Sequence, residues 1–191
     1  MGKIFQRSIL AGVSIGLGGL IFVKQGGVVG AVMFAFGLLT VLYYKLPLYT
    51  GTAGFVNPKK GQEWINMVVI LLGNILGCWL LSLIVPKEVN AESIIQSRID
   101  IGFLQSFLNA IGCGIIMTLV VKAGREKNYL LTIFGIPLFI LCGFYHSIAD
   151  AFYMCIVRPD LLLHYLPTYL FIVLGNFVGC NVPRLFRYSE P

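Results

Sequence analysis

The sequence predicts an all-α integral membrane protein: six transmembrane helices in two inverted three-helix repeats, with helices two and five broken near the membrane centre. Three observations predict it. Of the 191 residues, 58% are hydrophobic and only 12% are charged, with a mean hydropathy of +0.87; soluble chains run at about 45–50% apolar and about 25% charged. The apolar residues gather into six stretches, each near the roughly 20 residues a spanning helix needs. A short motif in the third stretch returns in the sixth.

The first stretch, 8–23, follows Lys3 and Arg7 and has the outline of a signal peptide. No small-x-small cleavage site follows it, however, and Lys24 with Gly26-Gly27 reads as a short turn, so it counts as span one. The second, 28–49, is interrupted by Lys45 and Pro47. The third, 64–85, contains Gly73-Asn74-Ile75-Leu76-Gly77-Cys78. The fourth covers 100–121, and the fifth, 129–157, is interrupted by His146 and Asp150. The sixth, 161–183, contains Gly175-Asn176-Phe177-Val178-Gly179-Cys180, four identities in six with the third at an offset of 102 residues. A weaker echo links Gln6-Arg7-Ser8-Ile9-Leu10 to Gln105-Ser106-Phe107-Leu108, offset by 98 to 99. The chain is thus one transmembrane domain, 1–191, with repeat one at about 1–90 and repeat two at about 98–191.

Three spans per repeat force the second repeat to enter the bilayer from the opposite side. Inverted repeats of this kind bring discontinuous helices to a midplane site in many transporters. The two irregular segments, Lys45–Gly51 and Gly143–Asp150, are offset by about 99 residues and should meet near the bilayer centre. Pro47 removes a helical hydrogen bond there, and Gly51 lets the backbone turn. Lys and Arg sort by side. Lys3, Arg7, Lys59, Lys60, Lys122, Arg125, Lys127, Arg184 and Arg187 share the side of the termini, against Lys24, Lys87, Arg98 and Arg158 opposite, with Lys45 left inside span two. Nine against four places both termini in the cytoplasm of a multi-pass cell-membrane protein. The net charge of +6 therefore reflects topology, and nucleic acid is not an expected partner. Cys78, Cys113, Cys142, Cys155 and Cys180 lie in or beside apolar stretches without CxxC spacing or a histidine partner. They read as packing residues; no metal, disulfide framework or cofactor is expected.

An ionisable residue inside a span is expensive and points to function. His146 is the one ionisable ring expected to be buried, and Asp150 follows one helical turn later, on the same face if the segment is helical. Lys45 reads as a snorkelling side chain or as an attractor of anions.

The residues at the two breaks carry a resemblance. Gly143-Phe144-Tyr145-His146-Ser147-Ile148-Ala149, followed by Phe152, closely resembles the signature of the formate/nitrite transporter family. Leu48-Tyr49-Thr50-Gly51 is similar to that family's Leu-Phe-Thr-Gly loop, and the two Gly-Asn-x-x-Gly motifs, Ala11-Gly12 and Gly124-Arg125 fit it as well. The resemblance implies an aquaporin-like architecture assembled as a homopentamer, with one pore for small monovalent anions in each protomer. It implies His146 as the central histidine, with Thr50 and Asn109 as its polar partners. It implies a cytoplasmic constriction from Leu38 and Leu48, an outer one from Phe34 and Phe139, and Tyr49 beside the loop where the family has Phe. Other departures are Pro47 for the usual acidic residue, Lys45 where glycine is common, and Asp150 for the usual asparagine. A shorter fourth loop and almost no amphipathic N-terminal extension leave gating unassigned.

These residues suggest how an anion could cross. Stripping water from a bare ion costs many kcal/mol, and a weak acid avoids that cost by taking a proton. Imidazole, whose ordinary pKa is about 6.5, can supply it at working pH. The expected cycle gathers formate, nitrite, hydrosulfide or a similar anion at a vestibule lined by Lys59, Lys60 and Arg125. The anion then meets His146, held by Thr50 and Asn109 and tuned by Asp150 or Lys45, crosses as the neutral acid and ionises again. A pore for small neutral solutes is the alternative. An intramembrane enzyme is excluded: metal hydrolysis needs about three ligands, and Ser147 adjoins His146 without facing it.

Overall fold

The structure, a computed structural model, describes residues 1–186, so Arg187 of the charge comparison lies outside the described residues. Nine helices form among the described residues: α1 (Gly2–Gln25), α2 (Gly27–Tyr43), α3 (Tyr49–Ala53), α4 (Gly61–Ser82), α5 (Glu92–Asp100), α6 (Phe103–Arg125), α7 (Leu130–Leu141), α8 (Ser147–Met154) and α9 (Pro159–Leu185). Four of them, α1, α4, α6 and α9, are long and apolar enough to cross a membrane, while α2 and α7 are apolar but shorter. Leu104, Phe134 and Leu163 are among the large apolar side chains left on the outside. Water does not tolerate such a surface; lipid or a second protein does.

The second and fifth apolar stretches each fold as two helices. The interruption expected at Lys45–Gly51 falls at residues 44–48, and the one expected at Gly143–Asp150 falls at 142–146. Pro47 explains the first, since proline has no N–H to give and disfavours helix at the residue before it. Gly51 is not the turning residue, because it already belongs to α3. The turn is made by Lys45, at φ 52°, and in the second break by Gly143, at φ 72°. Lys45 is therefore exposed on a turn and not within a span as expected from the hydropathy. The two turns close identically: the Leu46 and Phe144 N–H groups donate to the Val41 and Phe139 carbonyls at 2.8 and 2.9 Å.

Buried asparagines brace both breaks. The Asn74 carboxamide in α4 donates to the Ser8 and Pro47 carbonyls (2.8 and 3.1 Å) and accepts from the Tyr49 N–H (2.9 Å). Asn176 in α9 donates to the Ala110 and Tyr145 carbonyls (both 2.8 Å) and accepts from the Ser147 N–H (2.8 Å). Every member of the second set lies 98 or 102 residues after its counterpart, the offsets that the motifs show. The cysteines then cross between halves. The Cys78 thiol donates to the Ile148 carbonyl of α8 and the Cys180 thiol to the Thr50 carbonyl of α3, both at 3.4 Å.

With only five residues, α3 cannot satisfy its own carbonyls. The Gly51 carbonyl accepts from Arg125 (2.9 Å), Ala53 from Asn181 (3.1 Å), and Val56, just beyond the helix, from Arg184 (2.8 Å).

Glycines let the long helices approach this closely. A Cβ on Gly12 or Gly77 would collide with the Asn74 or Ile9 carbonyl across α1 and α4, and one on Gly114 or Gly179 with the Asn176 or Ile111 carbonyl across α6 and α9. The obstacle is backbone, which cannot rotate away. Gly179→Ala should lower thermal stability by about 1–3 kcal/mol, whereas Gly61→Ala, where nothing lies within 4 Å, should leave it unchanged. Melting of the two variants in detergent checks the contrast.

Candidate functional site

The breaks bring Thr50 and His146 together. Thr50 is the second residue of α3 and His146 the N-cap of α8, and both are buried, His146 at 2% exposure. The Thr50 hydroxyl lies 2.9 Å from Nε2 of His146. On the other side of the ring, Nδ1 accepts the Ala149 N–H at 3.2 Å, capping α8. An imidazole nitrogen that accepts carries no proton, so this cap assigns the neutral ring with its proton on Nε2. Nε2–H then donates to Thr50 Oγ1, whose own proton is left for another acceptor. The Phe139 ring stacks on the imidazole with centroids 5.9 Å apart, and Phe34 meets Phe139 edge to face at 6.3 Å.

Two cavities that share no lining residue approach this centre. The first, about 650 Å³, is lined by Lys45, Leu48, Gly51, Thr52, Arg125 and Lys127, among others. The second, about 290 Å³, is lined by Phe34, Arg98, Phe139, Tyr145, His146 and Asp150, among others. They open at opposite ends of α1. Arg7 binds the Tyr44 and Lys45 carbonyls at the rim of the first (2.8 and 3.0 Å), while Phe22 lines the second. The 15-residue step along α1 from Arg7 to Phe22 rises about 22 Å at 1.5 Å per residue.

The first cavity is basic. Three cations line it, Lys45, Arg125 and Lys127, with no carboxylate among the described lining residues; Glu126 is exposed on the neighbouring turn. Lys45 at φ 52° and Lys127 at φ 64° are the two non-glycine residues with positive φ among those described. The left-handed conformation costs an ordinary residue about 1–2 kcal/mol, so both lysines are held at this cavity against a local preference. Arg125 sits over the Phe55 ring at 3.9 Å besides binding the Gly51 carbonyl.

The second cavity holds an ion pair. Arg98 in α5 donates from Nε to Asp150 Oδ2 at 3.0 Å, with the arginine side chain 12% exposed and the aspartate fully buried. Tyr165 donates to the same oxygen at 2.7 Å, and the guanidinium lies over the Tyr145 ring at 4.3 Å.

Several sequence expectations move in this geometry. Asp150 faces Arg98 and Tyr165, not the imidazole. Among the described residues no hydrogen bond joins Asn109 to His146: its carboxamide oxygen accepts from Gln105 one turn earlier on α6, at 2.8 Å, while its backbone carbonyl accepts the Tyr145 N–H at 3.4 Å. Tyr49 lines neither cavity, and its hydroxyl donates to the Val173 carbonyl at 3.1 Å. Leu48 lines the first cavity, while Leu38 is wholly buried and lines neither. Of the expected vestibule cations Arg125 is in place, but Lys59 and Lys60 are not among the lining residues, and Lys60 pairs with Glu63 at 3.7 Å. Arg98 is the residue that sequence reasoning missed. It passes for a loop charge, and its only signal is that an arginine stands just before an apolar span in a chain poor in charge.

Comparison with known proteins agrees with this architecture. A family model described as formate/nitrite transporter matches residues 1–186. A solved pentameric formate channel with formate bound superposes with a TM-score of 0.81 at 21% identity, over 97% of this chain and 95% of that one. A second structure, an FNT family ion channel, gives a TM-score of 0.82 at 19% identity, over 99% and 90%. No curated protein matches the sequence.

Proposed function

Since this chain belongs to the formate/nitrite transporter family, we propose that it moves small monovalent weak-acid anions, such as formate, nitrite or hydrosulfide, across the cell membrane. It does so through six spans in two inverted repeats, with both termini cytoplasmic and five copies assembled around a common axis. The matched hydrogen bonds of Asn74 and Asn176 support the repeat, and the likeness to a pentameric channel supports the assembly. The observation that carries the reading is the buried Thr50–His146 pair, with one cavity lined by His146 and a separate one by Leu48, Gly51 and Thr52 around Thr50.

The anion gathers at the Lys45, Arg125 and Lys127 mouth or at the Arg98 mouth, and sheds water against Leu38 and Leu48 or Phe34 and Phe139. At the centre the Thr50 hydroxyl meets it first. A neutral imidazole cannot give away its only N–H proton at reasonable cost, so His146 must take up a second proton, from water in the cavity that it lines, on Nδ1 in place of the Ala149 N–H. The imidazolium then protonates the anion, which crosses the apolar constriction as the neutral acid and ionises beyond it.

The test is uptake into liposomes with clamped pH, using formate, nitrite, hydrosulfide and lactate. Thr50→Val keeps the volume and removes the hydroxyl, and should lower uptake of every transported anion by about tenfold, as loss of one good hydrogen bond at the crossing point implies. Uptake of neutral solutes alone, indifferent to the pH gradient and to Thr50, would establish the alternative pore.

A further inference from the structure

We propose that the pathway is sided: anions are captured at lower concentration at the Lys45 mouth than at the Arg98 mouth, and Asp150 sets the difference. The inference rests on the anion-transport reading and deepens it. Its ground is the contrast between two cavities that approach the Thr50–His146 pair, one lined by Gly51 and Thr52 beside Thr50 and the other by His146 itself. The Lys45 cavity holds Lys45, Arg125 and Lys127 with no carboxylate among its described lining residues. Arg125 is occupied by the Gly51 carbonyl and the Phe55 ring, neither of which cancels its charge. Among its described lining residues the second cavity has one cation, Arg98, and that cation is spent on Asp150 at 3.0 Å. His146 is the remaining ionisable imidazole there, and the cap on Nδ1 assigns it neutral.

Charge at a cleft with low-dielectric walls raises the local concentration of the counter-ion. One mouth is therefore an anion trap and the other is nearly neutral. Passive flux adds a constraint. With no voltage or pH difference, the ratio of maximal flux to half-saturating concentration must be equal in the two directions. The trapping mouth must then show both the lower half-saturation and the lower maximal flux. At low anion concentration the two directions are alike; at high concentration flux from the Arg98 side is the faster.

Asp150→Asn is nearly isosteric and retains an oxygen for Tyr165 and Arg98 while removing the negative charge, leaving the guanidinium to face the cavity. The experiment measures influx of radiolabelled formate into right-side-out and inverted membrane vesicles at equal pH and zero voltage. In the wild type, half-saturation should be about three- to tenfold lower from the Lys45 mouth, the effect of a few cavity charges at high effective dielectric. Asp150→Asn should lower half-saturation at the Arg98 mouth several-fold and leave the other unchanged. A second variant, Lys45→Gln with Lys127→Gln, alters only exposed turns and should raise half-saturation at the Lys45 mouth. It carries the test alone if Asp150→Asn fails to assemble. Equal half-saturations in the wild type would overturn the sidedness and leave anion transport standing. A sided wild type whose asymmetry survives Asp150→Asn would overturn the role of Asp150. Absence of formate and nitrite flux from assembled protein at both mouths would overturn the transport reading, and the inference with it.

Discussion

Replacing His146 by phenylalanine should cut pH-gradient-driven anion uptake by about a hundredfold or more, the usual contribution of a positioned proton donor. The protein should still fold. Phenylalanine fills the ring's space and can keep the stacking on Phe139 at 5.9 Å. What it removes is the Nδ1 acceptor for the Ala149 N–H and the Nε2 contact with Thr50. The lost cap costs about 1 kcal/mol, which a membrane assembly survives. The measurement compares formate uptake under an imposed pH gradient in liposomes holding equal amounts of assembled wild type and variant. Uptake that keeps its rate and its pH dependence without His146 would end the proton-transfer mechanism. Uptake that keeps its rate but loses its pH dependence would confine the histidine to coupling and leave desolvation to Thr50 and the cavities.

Asn74→Leu and Asn176→Leu should each prevent assembly. Either change strands two backbone groups at a break, the Pro47 carbonyl with the Tyr49 N–H or the Tyr145 carbonyl with the Ser147 N–H, and takes the second hydrogen bond from the Ser8 or Ala110 carbonyl, which keeps its partner within the helix. A buried polar group without its partner costs about 1–3 kcal/mol, so the loss per variant is about 2–6 kcal/mol. Its upper end is comparable to the whole stability of many folded domains, about 5–15 kcal/mol. Asn74→Asp is the graded control. It keeps an acceptor for the Tyr49 N–H but loses both donations, and should melt between wild type and Asn74→Leu. Thermal melts of detergent-solubilised protein, followed by size-exclusion chromatography, check the order. If Asn176→Leu assembles and melts like the wild type, the breaks are held by something other than these side chains.

The sequence shows the breaks because their causes are local. Pro47 and Gly143 act on their own turns, and Gly-Asn-x-x-Gly returns at a fixed offset because each asparagine braces an equivalent break. The pairing of Thr50 with His146 was legible only through resemblance to a family, since 96 residues separate them. Periodicity on one helix could suggest that Asp150 faces His146, but its partner Arg98 stands 52 residues away on a helix too short and polar to announce itself. Asn109 differs for the opposite reason: a local partner, Gln105 one turn away, occupies its carboxamide oxygen. Tyr49 carries a hydroxyl that the family resemblance sets beside the loop, and packing turns it to the Val173 carbonyl. Lys45 looked like a charge trapped in a span because hydropathy does not register a left-handed turn.

The way α3 is closed off has a consequence for biosynthesis. Asn74 can seat the first break as soon as α4 has left the ribosome, because Ser8, Pro47 and Tyr49 all precede it. The carbonyl end of the same short helix must wait. Its partners are Arg125, Cys180, Asn181 and Arg184, most of them in the last helix to be made. Until then the nascent chain holds an open helix end among lipids, where unmatched carbonyls cost several kcal/mol each. A truncated chain ending after α4 should therefore hold the start of α3 against Asn74 while its carbonyl end stays unmatched, so that the helix is fully seated only when α9 has been made.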